Sequence, residues 1–533
     1  MHADLSRLTF RPERHYSAVV AQQGRVQLDA DTNEQTQLDL ARSRWLTGDL
    51  LGPHGGPAGN TGFAVTYVGG NRGIDNLLIG PGRYYVDGIQ LDSGRPAPGE
   101  PVPEDGPEHG ADGERGPAPA ADAPGWDYWN QPDAYRDPEI PGDRLPSAFP
   151  FLVYLKVWER LVTAAEDPAL REVALGPAMP DTAARVKVVW QVLPLDLGVL
   201  GLDGAEPTRE NVGKAFRAWA HKQETPGARA AFRAERPEHG DEEPCLVAPD
   251  ARYRGPENQL YRVEIHDGGR AGEATFKWSR ENGSVTFPVD ELDGTWVQLA
   301  SLGGDGKLDL DVGDRVEFVD SAYTSRLEPL PLLRVEELDL PGRRVRLSGE
   351  PERGVGRRPE LNPYLRRWDH RAGHRRTRQG AGAQLKQGAV AVEEGRWLPL
   401  EDGVEVYFAE GGSYRTGDHW TAAARTATGT VEWPADADRR PLLRGPLGIA
   451  FHHAPLTLIK GEGSQLELRR EFPTLSRDVP DATEEQLAAE AEAHHEELAA
   501  EAAQDSGGGQ GTSRSQTTAE AETVADGGGE GNG

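Results

Sequence analysis

One cysteine in 533 residues, Cys245, leaves no partner for an internal disulfide and no set of thiolates for a structural zinc. A lone thiol of this kind reads as a small buried or incidental side chain rather than a nucleophile. No apolar run approaches the roughly 18 residues that a transmembrane helix needs, so no membrane insertion is expected. The opening MHADLSRLTF has no apolar h-region, so no signal peptide is expected and the predicted location is cytoplasmic. Positive charge is scarce: 58 Lys and Arg face 87 Asp and Glu, a net charge of −29. An acidic surface repels phosphates and argues against a nucleic-acid partner. Apolar residues make up only 37%, low for one tightly packed globule, whereas 65 Gly and 41 Pro point to many loops.

What is present reads as mainly β and multi-domain. A short N-terminal strand-helix unit spans 1–52. In it Val26 and Leu28 alternate with Arg25, Gln27 and Asp29, a strand pattern over 24–29. Asp31 and Glu34 then form a capping-box-like pair, and Leu38, Ala41 and Trp45 follow at helical spacing. Residues 53–95 read as a β segment with hairpin signals at Gly80-Pro81-Gly82 and Asp87-Gly88. The Pro-, Gly- and acid-rich stretch 96–125 is expected to be a disordered linker. A β domain over 126–305 follows. Its strand from Phe149 to Val162 is apolar on both faces and so central to a sheet; a second strand runs from Arg185 to Val192, and Glu166 to Arg171 suit a short helical turn. A helical insertion at 206–236 carries Phe216 and Trp219 on one side. Around Asn282-Gly283, alternating runs predict a tight hairpin. Three short strands predict a small β-barrel-like module at 306–350. An Arg-rich loop at 351–384, a C-terminal β module at 385–460 and an acidic, largely disordered tail at 461–533 complete the plan. The tail holds an Ala- and Glu-rich stretch, 481–503, that suits an acidic helix, before a Gly- and Ser-rich end.

No constellation stands out as catalytic. Asp29, Asp31 and Asn33 match the first positions of an EF-hand loop, but Glu34 replaces the turn Gly and Leu40 the bidentate Glu, so helix capping explains them better. His452 and His453 are neighbours on a strand and point to opposite faces. His370 and His374 are spaced i, i+4, without the glutamate of a zincin motif. Arginines crowd 353–378 around Tyr364 and Trp368, and suit contact with the protein's own acidic surface or with a partner. Trp126 and Trp129 could stack on a glycan or anchor a loop. No nucleophile elbow, P-loop or dinucleotide fingerprint appears in a fitting context. The expectation is a non-enzymatic protein with no catalytic, cofactor-binding or metal-binding residues and no cofactor.

Several strings carry a resemblance. They are QQGRVQLDADTNEQ (22–35), VWERLVTAAEDP (157–168), RVKVVWQV (185–192), YRGPENQLYRVEIHDGG (253–269), TFKWSRENGSV (275–285) and RTATGTVEWP (425–434). Together they resemble an uncharacterised bacterial domain family associated with contractile injection systems and phage-tail-like particles, over most of residues 1–460. The resemblance implies a structural or accessory component, baseplate- or fibre-associated, whose partners are protein subunits of the particle. Its expected docking residues are Gln23, Gly24, Arg25, Asp29, Asp31, Asn33 and Glu34, with strand 24–29 available to extend a partner's sheet. The alternatives are a cell-surface glycan-binding module, with Trp126, Trp129, Arg366, Arg367 and Trp368 as contacts, and a hydrolase of envelope polymer. A deep cleft with convergent ionisable side chains and a bound ion would count against the scaffold reading.

Overall fold

Strand Phe151–Val162 is apolar on both faces because it lies between two cores. It pairs antiparallel with Arg185–Asp196 along its whole length, from Phe151 opposite Asp196 to Val162 opposite Arg185. Its other edge takes His452–Gly461, which in turn pairs with Ser464–Glu467. Phe151, Val153, Leu155 and Val157 face one core with Phe63, Leu77, Ile79, Tyr84 and Trp190. Leu152 and Tyr154 face the other, with Val212 and Phe216. The period-2 alternation of a strand thus feeds two apolar layers at once.

The computed structural model describes residues 2–70, 74–95, 125–176, 179–202, 204, 206–234, 252–303, 308–352, 354–370 and 385–475. The chain is mainly β, with several sheets and few helices. The predicted linker at 96–125 falls almost wholly outside the described residues, as do the predicted acidic helix and the rest of the tail beyond 475. Among the described residues no helix is long and apolar enough to cross a membrane.

Helix α1 is Asp29–Leu51 and helix α2 is Arg209–Glu224. In α2 the Thr208 hydroxyl accepts the Asn211 amide at 3.2 Å while the Asn211 side chain accepts the Thr208 amide at 2.8 Å, a reciprocal cap. The helical insertion stops there rather than at 236. Pro226 and Gly227 break it, and Ala230–Ala234 becomes a strand against Val404–Phe408. The Asp87-Gly88 signal does form a hairpin, joining Arg83–Val86 to Ile89–Asp92 with φ of 47° and 79° at the two turn residues.

Other expectations need correction. Residues 24–29 form no strand: Val26 and Leu28 have the alternation but no partner strand, and α1 starts at Asp29. Its N-cap is Leu28, and Asp31, at the third helical position, accepts the Leu28 amide at 3.0 Å. Asn282 and Gly283 do adopt positive φ, 53° and 68°, but the runs they join do not pair. Thr275–Ser279 lies between Gln259–Ile265 and Ala389–Ala391, and Thr286–Asp293 lies between Trp296–Leu299 and Tyr364–Trp368. Phe276 and Trp278 fill one core and Val285 and Phe287 another, so the turn is a crossing between two bodies.

The second body is a closed six-stranded barrel. Its order is Thr286–Asp293, Trp296–Leu299, Arg344–Leu347, Leu333–Asp339, Arg315–Val319 and Tyr364–Trp368. Irregular register at Val289/Glu291 and Val335/Glu337 lets the strands bend into closure. The barrel therefore reaches well beyond 306–350, and part of the expected Arg-rich loop is a fully buried barrel strand. The first body is a six-stranded sheet that mixes residues 259–279 with 385–432, so the expected boundary between a 126–305 domain and a 385–460 module does not separate its strands. The predicted tail also begins too early: Glu471–Phe472 runs parallel to His54–Pro57, and the compact unit closes at Pro473.

Leu155 has no exposure at the centre of the four-stranded sheet. Leu155→Ala should cost about 2–5 kcal/mol by chemical denaturation, from lost transfer energy and the cavity left behind.

Candidate functional site

Two places in the fold offer more than packing. The first is the N-terminal arm with α1. The arm lies over the body through backbone and side-chain contacts: Asn282 Nδ2 donates to the Ala3 carbonyl at 2.9 Å, and Arg425 donates to the Ser6 carbonyl at 3.2 Å. Asp29 accepts both the amide and the hydroxyl of Ser6, at 2.9 and 2.6 Å. Although desolvation opposes it, these bonds hold the Asp29 carboxyl below its usual range. Glu13 pairs with Arg444 at 2.8 Å. In α1, 23 residues long, only Ala30 is buried. Gln37, Leu40 and Arg44 face the body, and Arg44 pairs with Glu159. At 100° per residue, Leu46 and Leu50 lie on the opposite side, with Trp45 flanking them. Trp45 is 59% exposed and Leu50 66%, while Val26 in the arm reaches 85%.

Among the expected docking residues, Gln23, Gly24, Arg25 and Asp29 are exposed; Asp31, Asn33 and Glu34 are half-buried. Asp29, Asp31 and Asn33 sit on helical backbone, not on a calcium loop, and among the described residues no group of three or more His, Cys, Asp or Glu side chains is placed to hold a metal. His452 and His453 do diverge, His452 to Asp87 at 2.8 Å and His453 to Glu224 at 3.0 Å. His370 is buried with Nε2 2.8 Å from the Gly388 carbonyl, and His374 lies outside the described residues.

The expected aromatic contacts point inward. Trp129 is buried and donates its indole N–H to the Asp75 carbonyl at 3.0 Å. Trp126 is half-buried, with the Arg95 guanidinium 5.1 Å from its ring centre. Trp368 has no exposure, donates to Glu317 at 3.2 Å, and carries the Lys277 ammonium 4.5 Å from its ring centre. Arg366 and Arg367 alternate on the same strand; Arg367 pairs with Asp369 at 3.3 Å, and Arg366 turns the other way, towards Glu317. These residues serve the protein's own interior rather than an open ring platform.

The second place is a buried charged cluster where the sheet meets the barrel. Arg262 and Glu264 alternate with Tyr261, Val263 and Ile265 on strand Gln259–Ile265. Glu264 stands opposite Lys277 on one neighbour and His419 on the other. On the barrel, Glu317 stands opposite Arg366. Arg262 binds Glu264 at 2.6 Å, and Lys277 reaches Glu317 at 2.6 Å and Glu264 at 3.3 Å. His2, at the tip of the arm, lies 2.7 Å from Glu264. Burial would push the Glu264 carboxyl up, but Arg262, His2 and Lys277 prevail and hold it well below its ordinary range. Glu317 is lowered the same way, chiefly by Lys277 and Arg366 against burial. Burial holds His266 and His370 down to about 4, and burial with Arg262 holds His419 well below its usual value. A cavity of about 330 Å³ opens onto this cluster, with Trp158, Arg262, His266, Lys277, Glu317 and Arg366 in its lining.

The sequence carried a signal for this cluster. Charges at 262, 264, 277 and 317 recur at every second position among apolar residues, which normally marks a solvent-facing strand surface. Here the barrel covers that face.

Residues 1–101, 146–234 and 215–465 match DUF6519, a family of unknown function. The chain belongs to that family. No curated protein and no solved structure matches this DUF6519 member. The family match spans both the arm with α1 and the charged cluster, and it skips most of the predicted linker and the tail.

Buried neutral histidines and depressed carboxylates favour a loss of stability in acid, offset in part by Glu401, which burial raises to about 7 so that the folded state takes up its proton first. Unfolded histidine takes up a proton near pH 6.5, which folded His266, His370 and His419 resist, so stability falls as pH drops from about 6.5 towards 4. Below about 4.5 the unfolded glutamates bind protons that folded Glu264 and Glu317 still exclude, and the loss continues. A thermal midpoint that declines steadily from pH 6.5 to 4 is expected; a flat profile would contradict the buried neutral state. At pH 7, Glu264→Gln should lower stability by about 3 kcal/mol by leaving Arg262 beside a neutral amide.

Proposed function

We propose that this protein is a structural or accessory component of a phage-tail-like contractile injection particle, baseplate- or fibre-associated, assembled in the cytoplasm and docked through its N-terminal arm and α1. The observation that carries the reading is the near-absence of burial along α1. A 23-residue helix with one buried residue keeps Trp45, Leu46 and Leu50 in solvent, and the arm before it keeps Tyr16, Val20, Val26 and Leu28 exposed. Exposed large apolar residues in such number along one segment suit a protein-protein contact surface. A helix that presents apolar side chains one turn apart, as Leu46 and Leu50 are, can dock on a partner surface. The exposed segment 25–28 belongs to no strand and lies beside the helix, although its ends are tied locally by the Arg25 and Leu28 amides. The strings quoted above, which resemble proteins of such particles, point the same way.

Co-sedimentation with assembled sheath and tube particles tests this. The full chain should pellet with the particles. A Trp45→Ser/Leu46→Ser/Leu50→Ser variant, folded by circular dichroism, should pellet at least about tenfold less, since two or three interface anchors each contribute about 1 kcal/mol or more. Full-length protein that stays in the supernatant at every particle concentration contradicts the proposal.

A further inference from the structure

The cavity beside the charged cluster has the make-up of a ligand site, and it goes beyond the docking role proposed above. Its floor is ionic and its wall is apolar. Leu40 of α1, Leu161, Leu327 and Ile449, all half-buried, form the wall with Val186 and Leu447, which are 43% and 50% exposed. A volume of about 330 Å³ falls within the range of small-molecule sites, which combine apolar walls with a few placed polar groups.

The floor is short of one acceptor. Glu264 is taken by Arg262 at 2.6 Å and by His2 at 2.7 Å. Glu317 gives one oxygen to Lys277 at 2.6 Å and the other to the Trp368 indole at 3.2 Å. Arg366 is the least well matched. It is 5% exposed, its nearest carboxylate oxygen is 3.6 Å away, and it donates one hydrogen bond, to the Tyr364 hydroxyl at 2.9 Å. Its Nε has no partner. Two further atoms in the same lining lack a hydrogen-bond partner, Trp158 Nε1, a donor, and His266 Nε2, a donor or an acceptor according to tautomer, and both residues are 1% exposed. Unspent donors in a dry interior each cost of the order of 1–3 kcal/mol, and more beside a charge. Such groups persist where something else satisfies them.

The charge balance says what that something is. Arg262, Lys277 and Arg366 face Glu264 and Glu317 while the flanking histidines stay neutral, so the floor carries one positive charge too many. Of the other ionic groups in the lining, Arg44 pairs with Glu159, Arg160 with Glu166 and Glu328 with Arg326. A single negative charge cancels the excess. A phosphate dianion would overshoot beside two carboxylates, and a neutral sugar would leave the guanidinium uncompensated. A planar guanidinium is the usual fork for a carboxylate. We propose that this cavity binds a small organic carboxylate, its acid group on Arg366 and its apolar body against the Leu161, Leu447 and Ile449 wall.

Hexanoate is a suitable probe for the full chain, with 1-hexanol and inorganic phosphate as controls at equal ionic strength. Hexanoate at millimolar concentration should raise the thermal midpoint by at least about 2 °C, as ligand linkage to the folded state requires, and should change the emission of Trp158. Hexanol and phosphate should do neither. Arg366→Met should abolish the response. Leu161→Trp, which fills the cavity from the apolar side and leaves the ionic floor intact, should abolish it as well, and decides the matter if the Arg366 variant does not fold. No response to hexanoate, an equal response to hexanol or phosphate, or a response that survives Leu161→Trp overturns the proposal. Particle docking does not enter these readouts, so failure here leaves the docking proposal standing and the reverse also holds.

Discussion

Lys277 and Glu317, 2.6 Å apart and both nearly sealed from water, tie the six-stranded sheet to the barrel. Each body has its own apolar core, one built on Tyr261, Phe276, Phe408 and Trp420 and the other on Phe287, Val316, Val335 and Leu365. Apolar burial alone would let two such bodies meet in many ways. Charges in a dry seam do not, because each misplaced partner leaves an ion without compensation. The register of four strands places Glu264, Lys277, Glu317 and Arg366 in one seam. Asp369 closes the joint by donating its amide to the Trp278 carbonyl at 2.9 Å.

The same seam fixes the start of the chain. His2 reaches Glu264 and meets the edge of Trp368 at 6.0 Å between ring centres. Ala3 is held by Asn282, on the turn that leads from sheet to barrel. From this anchor the arm runs outward with few buried side chains and delivers α1 with its outer apolar residues unspent. Under the docking proposal, firm attachment at the tip would position the arm before it meets a partner, and less ordering entropy would be lost on binding. Gln37, Leu40 and Arg44 on the inner face of α1 also border the cavity, so α1 forms part of its wall.

Local periodicity made much of the fold legible. Phe151–Val162 and Arg185–Asp196 follow from their apolar runs, and the Asp87-Gly88 hairpin from its turn chemistry. The Asn282-Gly283 turn shows the limit of such rules. Turn angles are local, but strand pairing depends on which core each apolar face enters, and Phe276 and Phe287 enter different ones. Val26 and Leu28 mislead for a related reason, since alternation makes a strand only where a neighbour supplies hydrogen bonds. The arginines near 366 read as a loop because charge suggests solvent, yet Glu317 comes from a strand some fifty residues away to receive one of them. The exposed stretch from Gln23 to Asp29 was accessible to sequence reasoning; for the charged floor only the alternation of charges within each strand was legible, because its members are distant in sequence and converge only when sheet and barrel close.

A double-mutant cycle on Lys277→Met and Glu317→Leu, measured by denaturant unfolding at pH 7, tests the seam most directly. If the pair joins the two bodies, each single change takes the nearest counter-ion from the residue that remains, and the double variant loses less than the two singles together, with a coupling of at least about 1 kcal/mol. Strictly additive losses would show that sheet and barrel are held in place without this contact.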